Sequence, residues 1–97
     1  MDNPIHIVQR NVIIGNKTGL HARPAAVFVQ IANKFESEIV VRKGRQKVNG
    51  KSIMGILMLA AGQGQEVIIS AEGPDAERAV NELEKILLNN EESEKAG

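Results

Sequence analysis

The sequence predicts an α+β domain with helices packed on one face of an antiparallel sheet. Three observations carry this. Short β-branched runs alternate with helical periodicities in the order β-α-β-β-α-β-α. The run Glu66 to Glu72 places Val67, Ile69 and Ala71 on one face, with Glu66, Ser70 and Glu72 beside a lone Ile68 on the other. That half-polar alternation suits a sheet covered on one side only. The last helical stretch has one apolar stripe and an otherwise charged surface, so it lies on the outside of a core.

The elements follow in order. Residues 1–6 read as a flexible lead, overlapping a β-branched strand over Ile5–Ile14 whose register stays open, because both parities carry apolar residues. Gly15-Asn16-Lys17-Thr18-Gly19 has turn chemistry. A helix over Ala22–Phe35 puts Ala25, Phe28, Val29, Ala32 and Phe35 on one face, with Pro24 in the first turn, where a missing N–H is harmless. Glu38–Arg42 is a strand, and Lys43-Gly44-Arg45-Gln46 turns into a short strand at Lys47–Asn49. Ser52 is suited to cap a short second helix, and Gly62-Gln63-Gly64 breaks the chain before Glu66–Glu72. A final helix from Asp75 to Leu88 buries Ala76, Ala79, Val80, Leu83, Ile86 and Leu87. Asp75 is its expected N-cap, with Arg78 leaving the capping box incomplete. Residues 89–97 are polar and expected to be disordered. All 97 residues are accommodated in one domain.

Composition narrows the chemistry. There is no cysteine, which excludes disulfides and thiolate sites. Basic and acidic residues balance at 12 each, and Trp and Tyr are absent, which argues against direct nucleic-acid binding. No signal-like start and no membrane-length apolar run is visible, which suits a cytoplasmic protein. No metal or cofactor motif occurs.

Two stretches stand out. In "TGLHARPA" (18–25) a histidine meets a helix start with an arginine two residues on. A helix start carries unpaired N–H groups and a partial positive charge, and both stabilise an anion. The same field disfavours a second positive charge on the ring, and a neutral imidazole is a nucleophile. A phosphoryl group accepted by His21 meets the N–H groups and the Arg23 guanidinium. The plainer alternative is a polar residue at a helix boundary. His6, without such neighbours, is read as a surface residue.

In "KSIMGILML" (51–59), Ile53, Met54, Ile56, Leu57, Met58 and Leu59 surround a short helix with apolar groups. Either a thin domain buries both sides, or part of the helix is a contact surface. Ala26 and Val27 lie off the main core face of the first helix and hint at the same surface. A phosphate on Ser52 would add about −1.5 to −2 charge beside it.

These stretches, with "SAEG" (70–73), resemble the HPr family, histidine-containing phosphocarriers of the bacterial phosphoenolpyruvate:sugar phosphotransferase system, over roughly Val8 to Leu88. The resemblance implies an open-faced β-sandwich, a four-stranded antiparallel sheet with three helices on one side. It also implies a carrier that turns nothing over itself, needs no cofactor and is a monomer. His21 matches the phosphoryl acceptor, through Nδ1, and Arg23 the arginine that helps hold the phosphate. Ser52 matches a serine modified by an ATP-dependent kinase in Firmicute-type members. The partner surface maps to Ala22, Ala26, Val27, Gln30, Ile53, Met54, Leu57 and Met58. Implied partners are Enzyme I and sugar-specific IIA domains, with the serine kinase/phosphorylase and a catabolite control transcription factor on the regulatory side. Some relatives serve only that regulation and carry glutamine at the histidine position. The chain departs from the family at a longer N-terminus, at Leu57 and Met58, and at Ala60, which replaces a common glycine.

Overall fold

The computed structural model describes residues 6–88. The expected disordered tail, and the expected lead apart from His6, lie outside them. The elements are β1 (Ile7–Ile13), α1 (Ala22–Ala32), β2 (Glu38–Lys43), β3 (Gln46–Asn49), α2 (Ile53–Leu59), β4 (Glu66–Glu72) and α3 (Ala76–Leu88). The strands form one antiparallel sheet in the order β1-β4-β2-β3, with the three helices over one face, as the half-polar alternation of β4 requires. No described helix is long and apolar enough to cross a membrane.

The core lies between sheet and helices. Val67, Ile69 and Ala71 of β4 and Ile39 and Val41 of β2 meet Phe28 of α1, Ile56 and Leu59 of α2, and Val80, Leu83 and Leu87 of α3. Ile86, expected in the core, packs half-buried against it. The register of β1 is settled by pairing with β4: Val8, Arg10 and Val12 face the helices, while Ile7 and Ile13 face solvent, 54% and 50% exposed. Arg10 stands on the apolar side because α3 offers it partners: Nη1 donates to Glu84 Oε1 at 2.6 Å and to Asn81 Oδ1 at 3.1 Å.

Two expected boundaries move. α1 ends at Ala32 rather than Phe35. The Asn33 amide group donates to the Val29 carbonyl at 2.9 Å, and the Lys34 and Phe35 N–H groups bond to carbonyls three residues back, a tightened last turn. The Phe35 ring stays buried, with the Arg78 guanidinium 5.7 Å from its centre. α3 begins one residue after Asp75, but the hydrogen bonds of that carboxylate go elsewhere than to a helix cap. It accepts from the Glu36 N–H (2.9 Å), the Ser37 N–H (3.0 Å) and the buried Ser37 hydroxyl (2.5 Å). Asp75 therefore pins the α1–β2 loop to the start of α3.

The Ser37 hydroxyl, then the Glu36 N–H, hold the Asp75 carboxyl down from an ordinary 3.8 to about 2. The unfolded chain thus binds this proton more readily than the folded one. The contribution of the charged group is complete above about pH 4 and is lost as pH falls toward 2. Urea midpoints measured across that window should fall for the native chain, and Asp75→Asn should flatten that part of the slope.

α2 ends on Ala60 in the left-handed region (φ 49°, ψ 40°), the only described non-glycine residue with positive φ. A Cβ there costs about 1–2 kcal/mol. Glycine removes that strain but adds about 0.4–1 kcal/mol of unfolded-state entropy. Ala60→Gly should therefore leave stability equal or raise it by up to about 1.6 kcal/mol, read as a urea midpoint no lower than that of the native chain. A midpoint lowered by the full entropy term would exclude strain at this cap.

Candidate functional site

The site begins with the loop that aims the start of α1. The Gly15 N–H bonds to the Leu87 carbonyl at 2.7 Å, and the amide of buried Asn16 donates to the Ile86 carbonyl at 3.1 Å, tying the loop to the end of α3. Gly19 turns with φ +72°, and a Cβ there would lie 2.7 Å from the Ala61 carbonyl oxygen and 2.9 Å from Gly62 Cα. Buried Leu20 donates its N–H to that same Ala61 carbonyl at 2.8 Å. The loop is thereby fixed to the connection between α2 and β4. Turn chemistry alone does not distinguish Asn16 and Gly19 within residues 15–19; the Gly19-Leu20 pair is the signal that the sequence offers.

His21 is the N-cap residue of α1, with extended backbone (φ −98°, ψ −160°) and an exposed side chain that makes no capping bond. Its carbonyl accepts from the Ala25 N–H at 2.9 Å, the first bond of the helix. The N–H groups of Ala22 and Arg23 precede that bond and have no acceptor among the described residues, and Pro24 has no N–H. No acidic side chain lies in the first turn, so its partial positive charge is uncompensated. The Arg23 guanidinium is exposed and has no hydrogen-bond or ion-pair partner among the described residues. One helix turn thus presents an imidazole, two free N–H donors and a free guanidinium, which suits a group that gains negative charge on the ring.

Ser52 behaves differently. Its hydroxyl caps α2 by accepting the Gly55 N–H at 3.1 Å, as expected. It is half-buried where α2 comes close to β3, so close that a Cβ on Gly55 would meet Val48 Cβ at 3.1 Å.

The two helices run antiparallel. The residue before His21 bonds to Ala61, just beyond α2, while Asn33, just beyond α1, donates to the Lys51 carbonyl before Ser52 at 3.3 Å. The Lys51 ammonium in turn donates to the Phe35 carbonyl at 2.7 Å. His21 and Ser52 therefore sit at opposite ends of the helix pair, separated by at least about the length of α2, roughly 10 Å. That exceeds the roughly 8 Å screening length at physiological salt.

Between them lies an apolar surface. Ile56 and Leu59 take the core side of α2, leaving Ile53, Met54, Leu57 and Met58 40%, 65%, 39% and 64% exposed, beside exposed Val27 on α1. The domain does not bury both sides of α2. Ala22 and Gln30 are exposed and Ala26 half-exposed along α1. No group of three or more His, Asp or Glu side chains among the described residues is placed to hold a metal ion.

A family model described as the "PTS HPr component phosphorylation site" matches residues 8–89. The chain belongs to the HPr family. Among its relatives, the HPr-like protein Crh of Halalkalibacterium halodurans is 49% identical over 77 residues, 79% of this chain and 92% of that protein. The phosphocarrier protein HPr of Treponema pallidum is 42% identical over 88 residues, 91% of this chain and all of that protein. The crystal structure of a phosphocarrier protein HPr from Bacillus anthracis superposes with a TM-score of 0.81 at 48% identity, covering 84% of this chain and 96% of that one. The expected open-faced sandwich is the HPr fold. Membership supports the general HPr role, a phosphocarrier of the phosphotransferase system, and the relatives include both HPr and Crh proteins.

Proposed function

We propose that this chain carries phosphoryl groups on His21, taking them from phosphorylated Enzyme I and passing them to sugar-specific IIA domains in the cytoplasm. The observation that carries this reading is the uncapped, exposed imidazole of His21 above two free N–H donors, with Arg23 unpaired beside it. On transfer, a bond forms from ring Nδ1 to phosphorus as the donor's bond to phosphorus breaks. The ring gains the phosphoryl charge, which the N–H groups and Arg23 stabilise. The chain is regenerated when the group leaves, so it is a carrier rather than a catalyst. Incubation with Enzyme I and phosphoenolpyruvate should attach acid-labile phosphate to the wild-type chain; an unlabelled chain would exclude the reading.

The apolar surface of α1 and α2 is the proposed docking face for these partners. Met54→Glu with Met58→Glu removes two exposed contacts and adds charge. Transfer from Enzyme I should slow at least about tenfold, equivalent to about 1.4 kcal/mol. Stability should move by no more than about 0.5 kcal/mol, because both side chains are exposed. Wild-type transfer rates in this variant would place docking elsewhere.

A second reading, regulation through Ser52, is favoured by the 49% identity to a Crh protein. Phosphorylated by the family's kinase and ATP, the chain would act as corepressor of a catabolite control transcription factor. Since Ser52 and His21 are a helix length apart, such a phosphate would influence transfer through partners docked between them. Failure of the kinase to label Ser52 would remove this half and leave the carrier role standing.

A further inference from the structure

The chain holds a single Asn-Gly pair, Asn49-Gly50, at the join between β3 and α2. An asparagine before glycine is open to attack by the next main-chain nitrogen, because no following side chain shields its carboxamide. The other asparagines all precede larger residues. The fold requires this glycine: a Cβ at position 50 would lie 2.5 Å from Ile39 Cγ2 and 2.9 Å from Ile39 Cβ. Asn49 is exposed, and its Oδ1 accepts the Lys51 N–H at 2.9 Å, which polarises the carboxamide carbon. Only the nucleophile is withheld. Gly50 is buried and donates its N–H to the Ile39 carbonyl at 2.7 Å. Asn49 is also a strand residue, paired with Val40. Ring closure needs its Cβ and the Gly50 nitrogen eclipsed about the Cα–C bond, an arrangement that extended backbone does not have.

We infer that Asn49 is a latent deamidation site, held shut by the Gly50–Ile39 hydrogen bond and opened only when the end of β3 leaves β2. In the opened chain the Gly50 N–H gives its proton to hydroxide, and the nitrogen bonds to Asn49 Cγ. The side-chain amide takes a proton from water and leaves as ammonia, which completes a five-membered succinimide. Water then opens the ring at one of its two carbonyls, giving aspartate or isoaspartate, and no other reactant is needed. The isoaspartate product does not fit the native join. It routes the main chain through one extra methylene, where Gly50 has no room to spare against Ile39. It also turns the Asn49 main-chain carbonyl into a free carboxylate. In the native chain that carbonyl accepts the Ser52 N–H at 3.1 Å, and its oxygen would lie 3.2 Å from a Cβ on Gly55. The damage therefore falls on the turn that sets Ser52 as the cap of α2. His21, at the other end of the helix pair, is left as it was. None of this depends on phosphorylation of His21 or Ser52.

The test is peptide mapping of the full chain, incubated at mildly alkaline pH either folded or unfolded in guanidinium chloride. The unfolded chain should gain aspartate and isoaspartate at position 49 before any other asparagine changes. The folded chain should do so at least about tenfold more slowly, and small additions of denaturant should speed it in step with hydrogen exchange at the Gly50 N–H. Asn49→Gln should give no isoaspartate at position 49 in either state. The isoaspartate form, isolated after unfolding and returned to native buffer, supplies the second readout. Its Gly55 N–H, which the Ser52 hydroxyl accepts in the native chain, should exchange faster than in the unmodified chain. Equal rates in folded and unfolded chains, or earlier modification at another asparagine, would overturn the latent site. A Gly55 N–H as protected in the isoaspartate form as in the native chain would overturn the effect on the Ser52 cap.

Discussion

His21→Ala should take up no phosphate from Enzyme I and phosphoenolpyruvate, with the fold unchanged. The side chain is exposed, makes no capping bond and is not part of the core, so its removal should leave the packing of α1 intact. Arg23→Ala should behave differently. The acceptor remains, but the charged hydrogen bonds to the phosphate are lost, each worth about 1.5–3 kcal/mol. Phosphoryl transfer should slow by roughly 10–100-fold without disappearing. Stopped labelling reactions, followed over time, separate the two. Equal loss in both variants would make Arg23 part of the acceptor chemistry rather than a clamp, and full labelling of His21→Ala would move the acceptor elsewhere.

Gly19→Ala should be among the most destabilising single-methyl additions in the chain. The left-handed backbone adds about 1–2 kcal/mol for any Cβ. Overlap with the Ala61 carbonyl and Gly62, at 2.7 and 2.9 Å, adds about 1–3 kcal/mol more. Gly44 is the control: its φ is +61°, yet a Cβ there meets nothing within 4 Å. Gly44→Ala should show the backbone part alone. Denaturant midpoints of the two variants should differ by the overlap, and labelling of the folded fraction of Gly19→Ala should be slower, because relief of the overlap shifts the residue that leads into His21. Equal midpoints would mean that the loop does not hold the site against the α2–β4 connection.

The core-facing pattern of β4 and α3 was legible from spacing alone, because each carries one apolar face with a polar one behind it. β1 was not, because its inward side includes Arg10, whose partners Asn81 and Glu84 come from a helix more than 70 residues on. The end of α1 differs from the spacing for a related reason: Phe35 keeps the apolar spacing and is buried, but from a tightened turn rather than a helix. Asp75 had the residue type and position of a cap, and only the fold could reveal the Glu36–Ser37 loop competing for its carboxylate. At the site, the residue types of "TGLHARPA" were visible, and so was the excess of apolar groups on α2. The antiparallel placement that separates His21 from Ser52 was not, because it rests on the backbone bonds of Leu20 to Ala61 and the side-chain bond of Asn33 to Lys51.

The most direct measurement is a peptide map of the chain after exposure to Enzyme I and phosphoenolpyruvate, kept at neutral pH so that phosphohistidine survives. The predicted result is a single phosphate on the peptide that contains His21, with His6 and Ser52 unmodified. Phosphate on His6, on Ser52 or on no residue at all would contradict the account.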